Sequence, residues 1–494
     1  MNKKIALLSV SDKTGIVALA KALVKNDWQI VATSQTADFL RQQGIATIPV
    51  SEFSGFPEIL DGRVKTLQPK IFAGILADRK NPQHCRQMKK MKIIPIDLVA
   101  VNFYQPEKID IGGVALLRAA AKNYPNVIAL SDPLDYPRVI QQLESKQDLS
   151  LAWRRQLAAR VFARTAYYDT LIANQLNNQV ELYPDKLTLA LKKISPLRYG
   201  ENPHQSAAIY QAADSANNYF QLISGKELSF NNYLDLFSGY QLVQEFSQPA
   251  CAIIKHTNPC GVALAKNPVS AYRLALASDR QSAFGGVVSF NRPIDEKTAG
   301  ELAKMFIECI IAPGYTPAAR AILTRKKNLR LIICRAKKFP KSPELRSIFD
   351  YILLEERDNK IWDRIKIVTK KSPTTIQLKN LKFAFTVCKY VKSNAIVLAT
   401  DYQTVGIGAG QMSRIDALKI AAKKMARLKI KKKDSLVLAS DGFFPFPDVV
   451  RLAGKIGVKA IVEPGGSIRD KESIVAADRL GLSMIFTGIR HFRH

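Results

Sequence analysis

The chain has 494 residues, of which 47% are hydrophobic and 23% are charged. It is too long for a single hydrophobic core, so we expect roughly two to four globular domains and not a largely disordered chain. No secretory signal opens the sequence, and no apolar run approaches the roughly 20 residues that a membrane span needs. We therefore expect a cytoplasmic protein.

The net charge is +31, from 73 Lys and Arg against 42 Asp and Glu. Such an excess is compatible with a nucleic-acid-binding protein. The densest basic runs lack the interleaved aromatic residues that stack on bases, which favours solvated lysines or anionic small-molecule substrates. Nucleic-acid binding stays open as the alternative from another functional class.

The six cysteines form no C-x-x-C pair, and most lie in apolar runs. This pattern predicts reduced core thiols and neither a disulfide framework nor a zinc site. The stretch "HTNPCG" is faintly similar to a zinc-deaminase signature, but Asn258 stands where a glutamate is needed and no second cysteine follows Cys260. We expect no bound metal.

Strands and helices alternate in the first half of the chain. Continuous apolar runs predict strands at 4–10, 28–33, 46–50, 96–104 and 127–131. Amphipathic runs predict helices at 16–26, 36–44 and 112–123. Because buried strands alternate with helices, we expect an α/β domain with a parallel sheet covered on both faces.

A long helix is predicted from Leu151, and a polar linker at 177–196 follows it. The predicted domains are therefore 1–188 and 189–494. The second domain again has α/β character, with strands expected at 250–258, 285–291, 395–400, 435–440, 459–464 and 483–488. A Lys followed shortly by an Asn recurs around the strands near Lys255 and Lys392, a weak sign of two similar lobes.

Several motifs of the first half have both a structural and a functional interpretation. The loop "SVSDKTG" joins a strand to a helix, where Lys13 and free backbone N–H groups could hold an anion, or where Ser11 or Asp12 could cap the helix. Arg63 and Lys65 lie one residue apart and could face a phosphate together, or form a solvated turn. "IDIGG" places Asp110 at a helix start.

Two motifs of the second half are denser in polar chemistry. "LRYGENPHQ" gathers six kinds of polar side chain around a glycine and a proline, which favours a binding loop. "SDGFFPFPD" could stack a flat heteroaromatic ligand on Phe443, Phe444 or Phe446, while Asp448 accepts its ring N–H groups. The alternative for each is an ordinary packed turn.

Ten segments, taken in order, resemble one family along nearly the whole chain: "SVSDKTG", "FPEILDGRVKTL", "LLRAAAKN", "LRYGENPHQ", "KHTNPCGVA", "SAFGG", "IGAGQMSRI", "FFPFPD", "PGGSIRD" and "FTGIRHFRH". The chain is similar to the bifunctional AICAR transformylase/IMP cyclohydrolases of purine biosynthesis. The resemblance implies formyl transfer from 10-formyltetrahydrofolate to AICAR in the second half and dehydrative ring closure to IMP in the first.

The resemblance also implies the architecture and the assembly. We expect a methylglyoxal-synthase-like first domain, a second domain of two cytidine-deaminase-like lobes, and a homodimer. The co-substrate is 10-formyltetrahydrofolate, no cofactor is expected to be tightly bound, and neither a specific nucleic acid nor a membrane is an expected partner.

For formyl transfer, the AICAR amine is a poor nucleophile and needs a general base, for which His256 is suited. Lys255 beside it can stabilise the oxyanion of the tetrahedral intermediate. The resemblance implies that AICAR or the folate contacts Arg198, Tyr199, Gly285, Glu308, Asn394, Arg414, Phe443, Asp448, Ser467, Ile468 and Arg490.

For ring closure, proximity supplies most of the rate because both reacting atoms already belong to one molecule. Lys65, Tyr104 and Lys122 are the candidates for polarising the formyl group and moving protons. The resemblance implies that the nucleotide contacts Ser11, Asp12, Lys13, Thr33, Ser34, Gln35, Thr36, Arg63, Val64, Thr66, Val101, Asn102, Asp110 and Ile111.

The sequence departs from the family pattern mainly in the first half. "TSQT" (33–36) stands where the family has two glycines between hydroxyl residues, and the link from Tyr104 to Asp110 is short. Glu463 stands where glutamine is usual. A transformylase with weakened or lost cyclohydrolase activity is therefore an alternative.

Overall fold

The computed structural model describes residues 3–177, 181–212, 219–336, 343–362, 364–428 and 433–494. The chain divides into two compact units. The first comprises the residues up to Lys192 with the short stretch 211–215, and the second comprises the remainder. The boundary at 188/189 stays a prediction. Residues 178–180 of the expected linker, and parts of the basic runs at 337–342 and 429–432, lie outside the described residues.

A five-stranded parallel sheet forms the centre of the first unit, in the order β3-β2-β1-β4-β5. Alternate residues of β1 enter different cores, since Ala6 and Leu8 pack on one face and Ile5 and Leu7 on the other. Both faces are thus covered, as predicted. The strands are β1 Ile5–Val10, β2 Gln29–Ala32, β3 Ile48–Pro49, β4 Leu98–Asn102 and β5 Ile128–Leu130.

Eight helices of this unit are described, with two short 3₁₀ turns at Pro106–Lys108 and Pro133–Asp135. The long helix predicted from Leu151 is confirmed over 26 residues. The helices are α1 Ile16–Lys25, α2 Ser34–Gln42, α3 Val50–Ser54, α4 Pro69–Leu76, α5 Pro82–Lys90, α6 Gly112–Lys122, α7 Tyr136–Glu144 and α8 Leu151–Leu176.

Two boundaries in this unit differ from the prediction. Helix α2 begins at Ser34 and not at Thr36, because Thr33 is its extended N-cap and the following residues form its first turn. The predicted strand at 46–50 pairs over only two residues, since Val50 already opens α3.

A twelve-stranded sheet forms the centre of the second unit, in the order β16-β21-β20-β19-β17-β18-β10-β9-β11-β12-β13-β8. All six strands predicted for this half are confirmed within it. Its members are β8 Gln221–Ser224, β9 Ala250–Lys255, β10 Asn258–Leu264, β11 Val287–Phe290, β12 Cys309–Ala312, β13 Arg330–Ile333, β16 Lys366–Ile367, β17 Ile396–Thr400, β18 Gln403–Gly408, β19 Val437–Ser440, β20 Ala460–Glu463 and β21 Ser483–Phe486.

Helices cover the sheet in two matching sets: α9 Phe230–Gln244, α10 Pro268–Ser278, α11 Glu296–Leu302 and α12 Pro317–Leu323, then α13 Thr375–Cys388, α14 Arg414–Met425, α15 Asp448–Lys455 and α16 Asp470–Arg479. A 3₁₀ turn spans Lys433–Ser435. Each set follows the same chain order: helix, antiparallel hairpin, then three helix–strand units. The first lobe (α9 to β13) and the second lobe (α13 to β21) are therefore two copies of one topology.

The two hairpins confirm the repeat in detail. Each has a two-residue turn in which both φ angles are positive: His256 and Thr257 in the first lobe, Asp401 and Tyr402 in the second. Such turns match the twist of antiparallel strands. The Lys–Asn pattern that suggested the repeat was wrong, because Lys255 ends β9 whereas Lys392 precedes β17.

Two further pairs of strands lie outside the large sheet. Strand β6 Leu191–Leu197 pairs with β7 Ala207–Ala212, so the end of the predicted polar linker is in fact a strand. Strands β14 Glu344–Ile348 and β15 Tyr351–Glu355 form an exposed hairpin.

Candidate active sites

One edge of the twelve-stranded sheet carries the predicted residues of the second unit. Ile254 pairs with Val287 and Ile396 with Ser440, and β10 runs antiparallel to β18. The same edge therefore contains the turn after β9, the amino ends of β11–β13 and the carboxyl ends of β19–β21. The repeat thus brings different strand ends of its two lobes together.

Lys255 is held at this edge by backbone carbonyls. Its Nζ donates to the carbonyl oxygens of Phe284 at 3.0 Å and Gly285 at 3.1 Å. A Cβ on Gly285, whose φ is +66°, would approach this Nζ to 3.2 Å. An ammonium group has three donors, so one N–H of Lys255 remains for a ligand.

His256 is exposed in the tight turn that follows Lys255. Asp235 of α9 fixes this turn, because its carboxylate accepts the Thr257 N–H at 2.6 Å. Burial raises the pKa of Asp235, while the Thr257 N–H and the nearby charges of His256 and Lys255 oppose that rise. Asp235 therefore faces both members of the predicted catalytic pair.

A cavity of about 450 Å³ in the second unit is lined by neither Lys255 nor His256, but its lining includes Phe306, whose carbonyl accepts the Gly285 N–H. It unites the predicted Arg198, Tyr199 and Glu308, and the Arg198 guanidinium lies 4.8 Å from the Tyr199 ring centroid. The cavity adds cations that we had not selected, among them Lys226 and Arg330. Such a lining suits an anionic ligand with a ring.

The second lobe contributes Asn394 and Arg414. Asn394 donates to the carbonyl oxygens of Gln411 at 3.0 Å and Met412 at 3.1 Å. Arg414 Nη2 lies 3.4 Å from Asp441 Oδ1, and its Nε donates to the Gly442 carbonyl. The lobes also join here, since Asn258 of the first accepts the Lys392 N–H at 2.9 Å.

Two buried carboxylates lie near Arg414. Asp441 and Glu463 are both fully buried, and Asp441 Oδ2 and Glu463 Oε1 have no hydrogen-bond partner within the described part of the chain. Burial raises the pKa of Glu463 to about 8, against the backbone N–H groups of Gly465 and Phe444 and the charge of Arg414. Glu463 is thus mostly protonated at neutral pH. In that form it is uncharged and has both a hydrogen-bond donor and an acceptor, as a glutamine side chain has.

The remaining predicted residues of this site lie in the loops after β19, β20 and β21, except Asp448, which is the first residue of α15. Arg490 stacks 4.2 Å from the Phe492 ring centroid, and Ile468 is fully exposed. Phe443, Asp448 and Ser467 are exposed or half-buried. Phe444 cannot stack on a ligand, because it is fully buried in the core of the second lobe.

A pattern on α9 could have revealed the missed residues of this site. Asn232, Asp235 and Ser238 recur at three-residue spacing, which places them on one helix face. Asn232 Nδ2 donates to Glu308 Oε2 at 3.2 Å, and Ser238 Oγ donates to the Thr257 carbonyl at 2.9 Å. One helix face therefore supports both the turn and the cavity.

In the first unit, Asn102 closes the loop after β1. Its Oδ1 accepts the N–H groups of Ser11 and Asp12, and its Nδ2 donates to the Asp12 carbonyl. Asp12 in turn accepts the N–H of Thr14. The backbone N–H groups of Ser11, Asp12 and Thr14 are therefore already hydrogen-bonded within the loop. Neither Ser11 nor Asp12 caps α1, whose N-cap is Gly15.

Thr36 connects this loop to α2. Its hydroxyl accepts the Val10 N–H at 3.1 Å and the Lys13 Nζ at 3.1 Å. Burial lowers the pKa of Lys13. Thr33 and Thr36 are buried, whereas Ser34 and Gln35 are exposed at the start of α2. Lys13 is thus brought to the N-terminus of α2.

Glu58, which we had not selected, joins two predicted residues. It accepts the Ser34 hydroxyl at 2.7 Å and pairs with Lys65 Nζ at 3.3 Å. Arg63 is exposed and Val64 half-buried in the turn that leads to Lys65.

Asp110 lies between the Tyr104 loop and the start of α6. Its carboxylate accepts the N–H groups of Gly113 and Tyr104, and its own N–H donates to the Tyr168 hydroxyl at 2.9 Å. Burial raises the pKa of Asp110, and Lys65 opposes this. A Cβ on Gly112 would meet the Thr66 hydroxyl at 2.7 Å, so Thr66 also lies here.

The structure does not bring every predicted residue of the first unit together. Val101 is a core residue of β4, and Ile111 is exposed before α6. Lys122 is exposed at the other end of α6, about 15 Å along the helix from Gly112. Its role in this site stays a prediction.

The described residues include no cluster of His, Cys, Asp or Glu able to hold a metal ion, and no described helix is long and apolar enough to cross a membrane. The six cysteines are free, and all but Cys85 are buried.

Comparison with protein families decides the assignment. The model of the "AICARFT/IMPCHase bienzyme" matches residues 120–424, and that of an "MGS-like domain" matches residues 15–124. The chain belongs to the AICARFT/IMPCHase bienzyme family. The MGS-like match agrees with the parallel sheet expected for the first unit.

Full-length relatives agree with this family. Proteins called "Bifunctional purine biosynthesis protein PurH" are 46% identical in Persephonella marina (99% of each chain) and 48% identical in Chloroflexus aurantiacus (99% of this chain, 98% of the relative). A solved structure, "Crystal structure of ForH", is 38% identical over 35% of this chain and 98% of that chain, with a TM-score of 0.33.

The AICARFT/IMPCHase chain described here is a bifunctional enzyme of purine biosynthesis, with formyltransferase and cyclohydrolase activities. The comparisons give no support to a nucleic-acid-binding protein or to a lost cyclohydrolase.

Proposed function

We propose that the second unit transfers the formyl group of 10-formyltetrahydrofolate to AICAR at the edge where its two lobes meet. The observation that carries this is the pair formed by Lys255 and His256, with the ammonium group held by two carbonyls and the imidazole exposed beside it. His256 removes the proton from the attacking amine, and Lys255 stabilises the oxyanion. The formyl carbon leaves the folate nitrogen as that nitrogen is protonated.

The residues around the pair have distinct tasks in this proposal. Arg198, Tyr199 and the cavity cations bind AICAR, and Glu308 and Gly285 shape its boundary. The residues Asn394, Arg414, Phe443, Asp448, Ser467, Ile468 and Arg490 form the opposite wall, where the folate lies.

The experiment uses two assays on one variant. His256→Ala should abolish formyl transfer to AICAR and leave the ring closure of supplied formyl-AICAR unchanged. His84→Ala, which changes a histidine of the first unit away from the predicted site residues, should retain both activities. Loss of ring closure in folded His256→Ala protein would contradict the division into two sites.

We propose that the first unit closes formyl-AICAR to IMP near the amino ends of α2 and α6. The first turn of α2 supports a phosphate site, because a helix start offers N–H groups to an anion and Lys13 reaches Thr36 there. Lys65, with Tyr104 and Asp110, polarises the formyl group and accepts the amide proton. The ring closes with loss of water.

A one-pot assay tests the two activities together. Protein mixed with AICAR and 10-formyltetrahydrofolate should yield IMP, while accumulation of formyl-AICAR without IMP would overturn the cyclohydrolase proposal alone. We further propose that the enzyme acts in the cytoplasm and binds no cofactor tightly.

We also propose that the enzyme is a homodimer and that the β14–β15 hairpin contributes to its interface. Large apolar side chains of this hairpin are exposed on both of its faces, including Leu345, Tyr351, Ile352 and Leu353. Exposed apolar surface of this kind commonly marks an interface.

Light scattering after gel filtration tests the assembly. The wild-type mass should be twice the chain mass of 54.9 kDa, and the double variant Tyr351→Asp/Leu353→Asp should shift it towards one chain. Leu134→Asp, at an exposed leucine of the first unit, should leave it unchanged. A monomeric wild type would refute this proposal.

A further inference from the structure

A cavity of the first unit lies at the opposite edge of its sheet from the proposed cyclohydrolase residues. Lys3 and Lys4 line it immediately before β1, and Asp97 lines it immediately before β4. Ser11 and Asn102, by contrast, lie at the carboxyl ends of those strands. The cavity therefore cannot share a ligand with the ring-closing site.

The cavity has more positive than negative side chains in its lining. Six basic and three acidic residues line it. The acids are paired already: Lys3 with Asp27 at 2.6 Å, Lys4 with Asp148 at 3.5 Å, and Arg79 with Asp97 at 2.6 Å. The remaining cations are Lys25, Lys146 and Arg154, and none of them forms an ion pair within the described part of the chain.

Two guanidinium groups, those of Arg79 and Arg154, belong to this lining. Arg79 donates through its Nη atoms to Asp97 and to the Ile96 carbonyl, while its buried Nε has no partner among the described residues. Arg154 donates through Nε to the Leu149 carbonyl at 3.1 Å. Burial lowers the pKa of Arg154, the charges of Asp148 and Asp97 oppose that effect, and the charge of Arg79 adds to it.

Interaction with helix dipoles accounts for the positions of only two of the three unpaired cations. Lys25 ends α1 and Lys146 follows α7, so both can interact with helix carboxyl ends. Arg154 is instead the fourth residue of α8, whose first turn has no acidic residue. A cation near a helix amino end is unfavourable. The charges of Asp148 and Asp97 act on Arg154, but each of these carboxylates is ion-paired with another cation, and no described carboxylate lies within ion-pair distance of Arg154.

We propose that this cavity is a second ligand site, which binds a small phosphorylated molecule. Its volume of about 710 Å³ lies within the range of small-molecule sites and has room for a ring beside a phosphate. Lys25, Lys146 and Arg154 bind the phosphate. Trp28, which has Lys4 Nζ at 5.4 Å from its ring centroid, forms an aromatic wall.

Inorganic pyrophosphate is the probe, and fluorine NMR of protein labelled with 5-fluorotryptophan is the readout. The chain has only three tryptophans, and Trp28→Phe identifies the Trp28 signal. That signal should shift in a saturable way with pyrophosphate at constant ionic strength. The Trp362 signal, from the second unit, serves as the internal reference.

Arg154→Gln should raise the midpoint of this titration about tenfold, as expected for a lost charged hydrogen bond. Arg155→Gln makes the same charge change at the next residue, which does not line the cavity, and should leave the midpoint nearly unchanged. If Arg154→Gln fails to fold, Lys146→Gln at an exposed position takes its place, with an expected rise of about threefold.

A Trp28 signal whose chemical shift does not change with pyrophosphate would overturn the proposal. Equal midpoints for wild type, Arg154→Gln and Arg155→Gln would overturn it too, because they would indicate an adventitious ion only. Neither result affects the cyclohydrolase proposal, which the IMP assay tests independently.

Discussion

The sequence alone reveals some residues of the proposed transferase site and not others. Lys255 and His256 could be selected because they follow an apolar strand directly. Asp235 could not be selected in the same way, because it reaches their turn from a helix 22 positions earlier. Contacts between distant positions depend on the fold, which a single sequence does not display.

Asp235→Asn tests whether the charge of this residue matters beyond its hydrogen bond to Thr257. Asparagine keeps an acceptor for that N–H but removes the charge that acts on the proposed catalytic pair, Lys255 and His256. We expect kcat for formyl transfer to fall about tenfold, with a smaller change in KM for AICAR.

Asp401→Asn is the matched control, since Asp401 lies in the corresponding turn of the second lobe. It should leave kcat nearly unchanged. If Asp235→Asn behaves like the wild type, Asp235 acts only as a hydrogen-bond acceptor.

Glu463 makes the stability of the second unit depend on pH. Its folded-state pKa of about 8 lies above the ordinary value of 4.5. The folded state therefore holds a proton that the unfolded state releases, and stability falls as pH rises from about 4.5 to about 8.

Glu463→Gln should therefore be more stable than the wild type at pH 8, by on the order of a few kcal/mol, and the gain should shrink towards pH 5. Urea denaturation across this pH range measures it. Glu472→Gln, at an exposed glutamate, should show no such trend, and a gain independent of pH would contradict the assignment.

Whole elements were predicted best where one pattern governs them. The strands that were predicted in both sheets and the long α8 have continuous apolar runs or a clear helical period, and these were confirmed. The start of α2 was misplaced because Thr33–Thr36 has no apolar residue to set a period. The strand predicted at 46–50 was too long, because Val50 already opens α3. The exposed β6 carries too little burial for a pattern to form.

Thr36→Val tests the connection between α2 and the loop after β1. Valine keeps the shape but removes the hydroxyl, which leaves the Val10 N–H and one Lys13 donor without their acceptor. We expect a loss of about 1–3 kcal/mol in the free energy of unfolding and weaker ring closure.

Thr36→Ser keeps the hydroxyl and is the control. It should lose clearly less stability than Thr36→Val. Equal losses in the two variants would mean that packing of the methyl group, and not the hydroxyl, holds α2 in place.

The departure from two glycines at Ser34 and Gln35 should matter little for ring closure. Neither residue has a positive φ, and both side chains are exposed, so the backbone of the first helical turn needs no glycine. Ser34→Gly/Gln35→Gly should change kcat for ring closure less than about threefold and should lower stability through chain entropy. A large gain in activity would show that the side chains obstruct the phosphate.

At the scale of the whole molecule, the division of function that we propose follows the division of the hydrophobic cores. The hydrophobic clusters of the two units share no residue. The sequence predicted an α/β first domain and a second domain of two lobes, but it did not predict that the lobes form one sheet. That pairing depends on β10 and β18, which no local pattern joins.

The two predicted domains should therefore work as separate proteins. Fragment 1–188 should close supplied formyl-AICAR, and fragment 189–494 should formylate AICAR. Each fragment is assayed alone and then mixed with the other. Activity that returns only on mixing would show that the boundary at 188/189 cuts through a folding unit.

The junction of β10 with β18 has a further consequence for the enzyme. A lobe synthesised alone would expose this strand as an unprotected sheet edge, ready to pair with any similar edge in solution. Because both lobes belong to one chain, each keeps the matching edge of the other at an effective concentration of roughly millimolar, whatever the concentration of the enzyme itself. The turn at His256 and the carboxyl ends of β19–β21 are thus brought to one edge by an intramolecular step, which does not depend on the enzyme concentration.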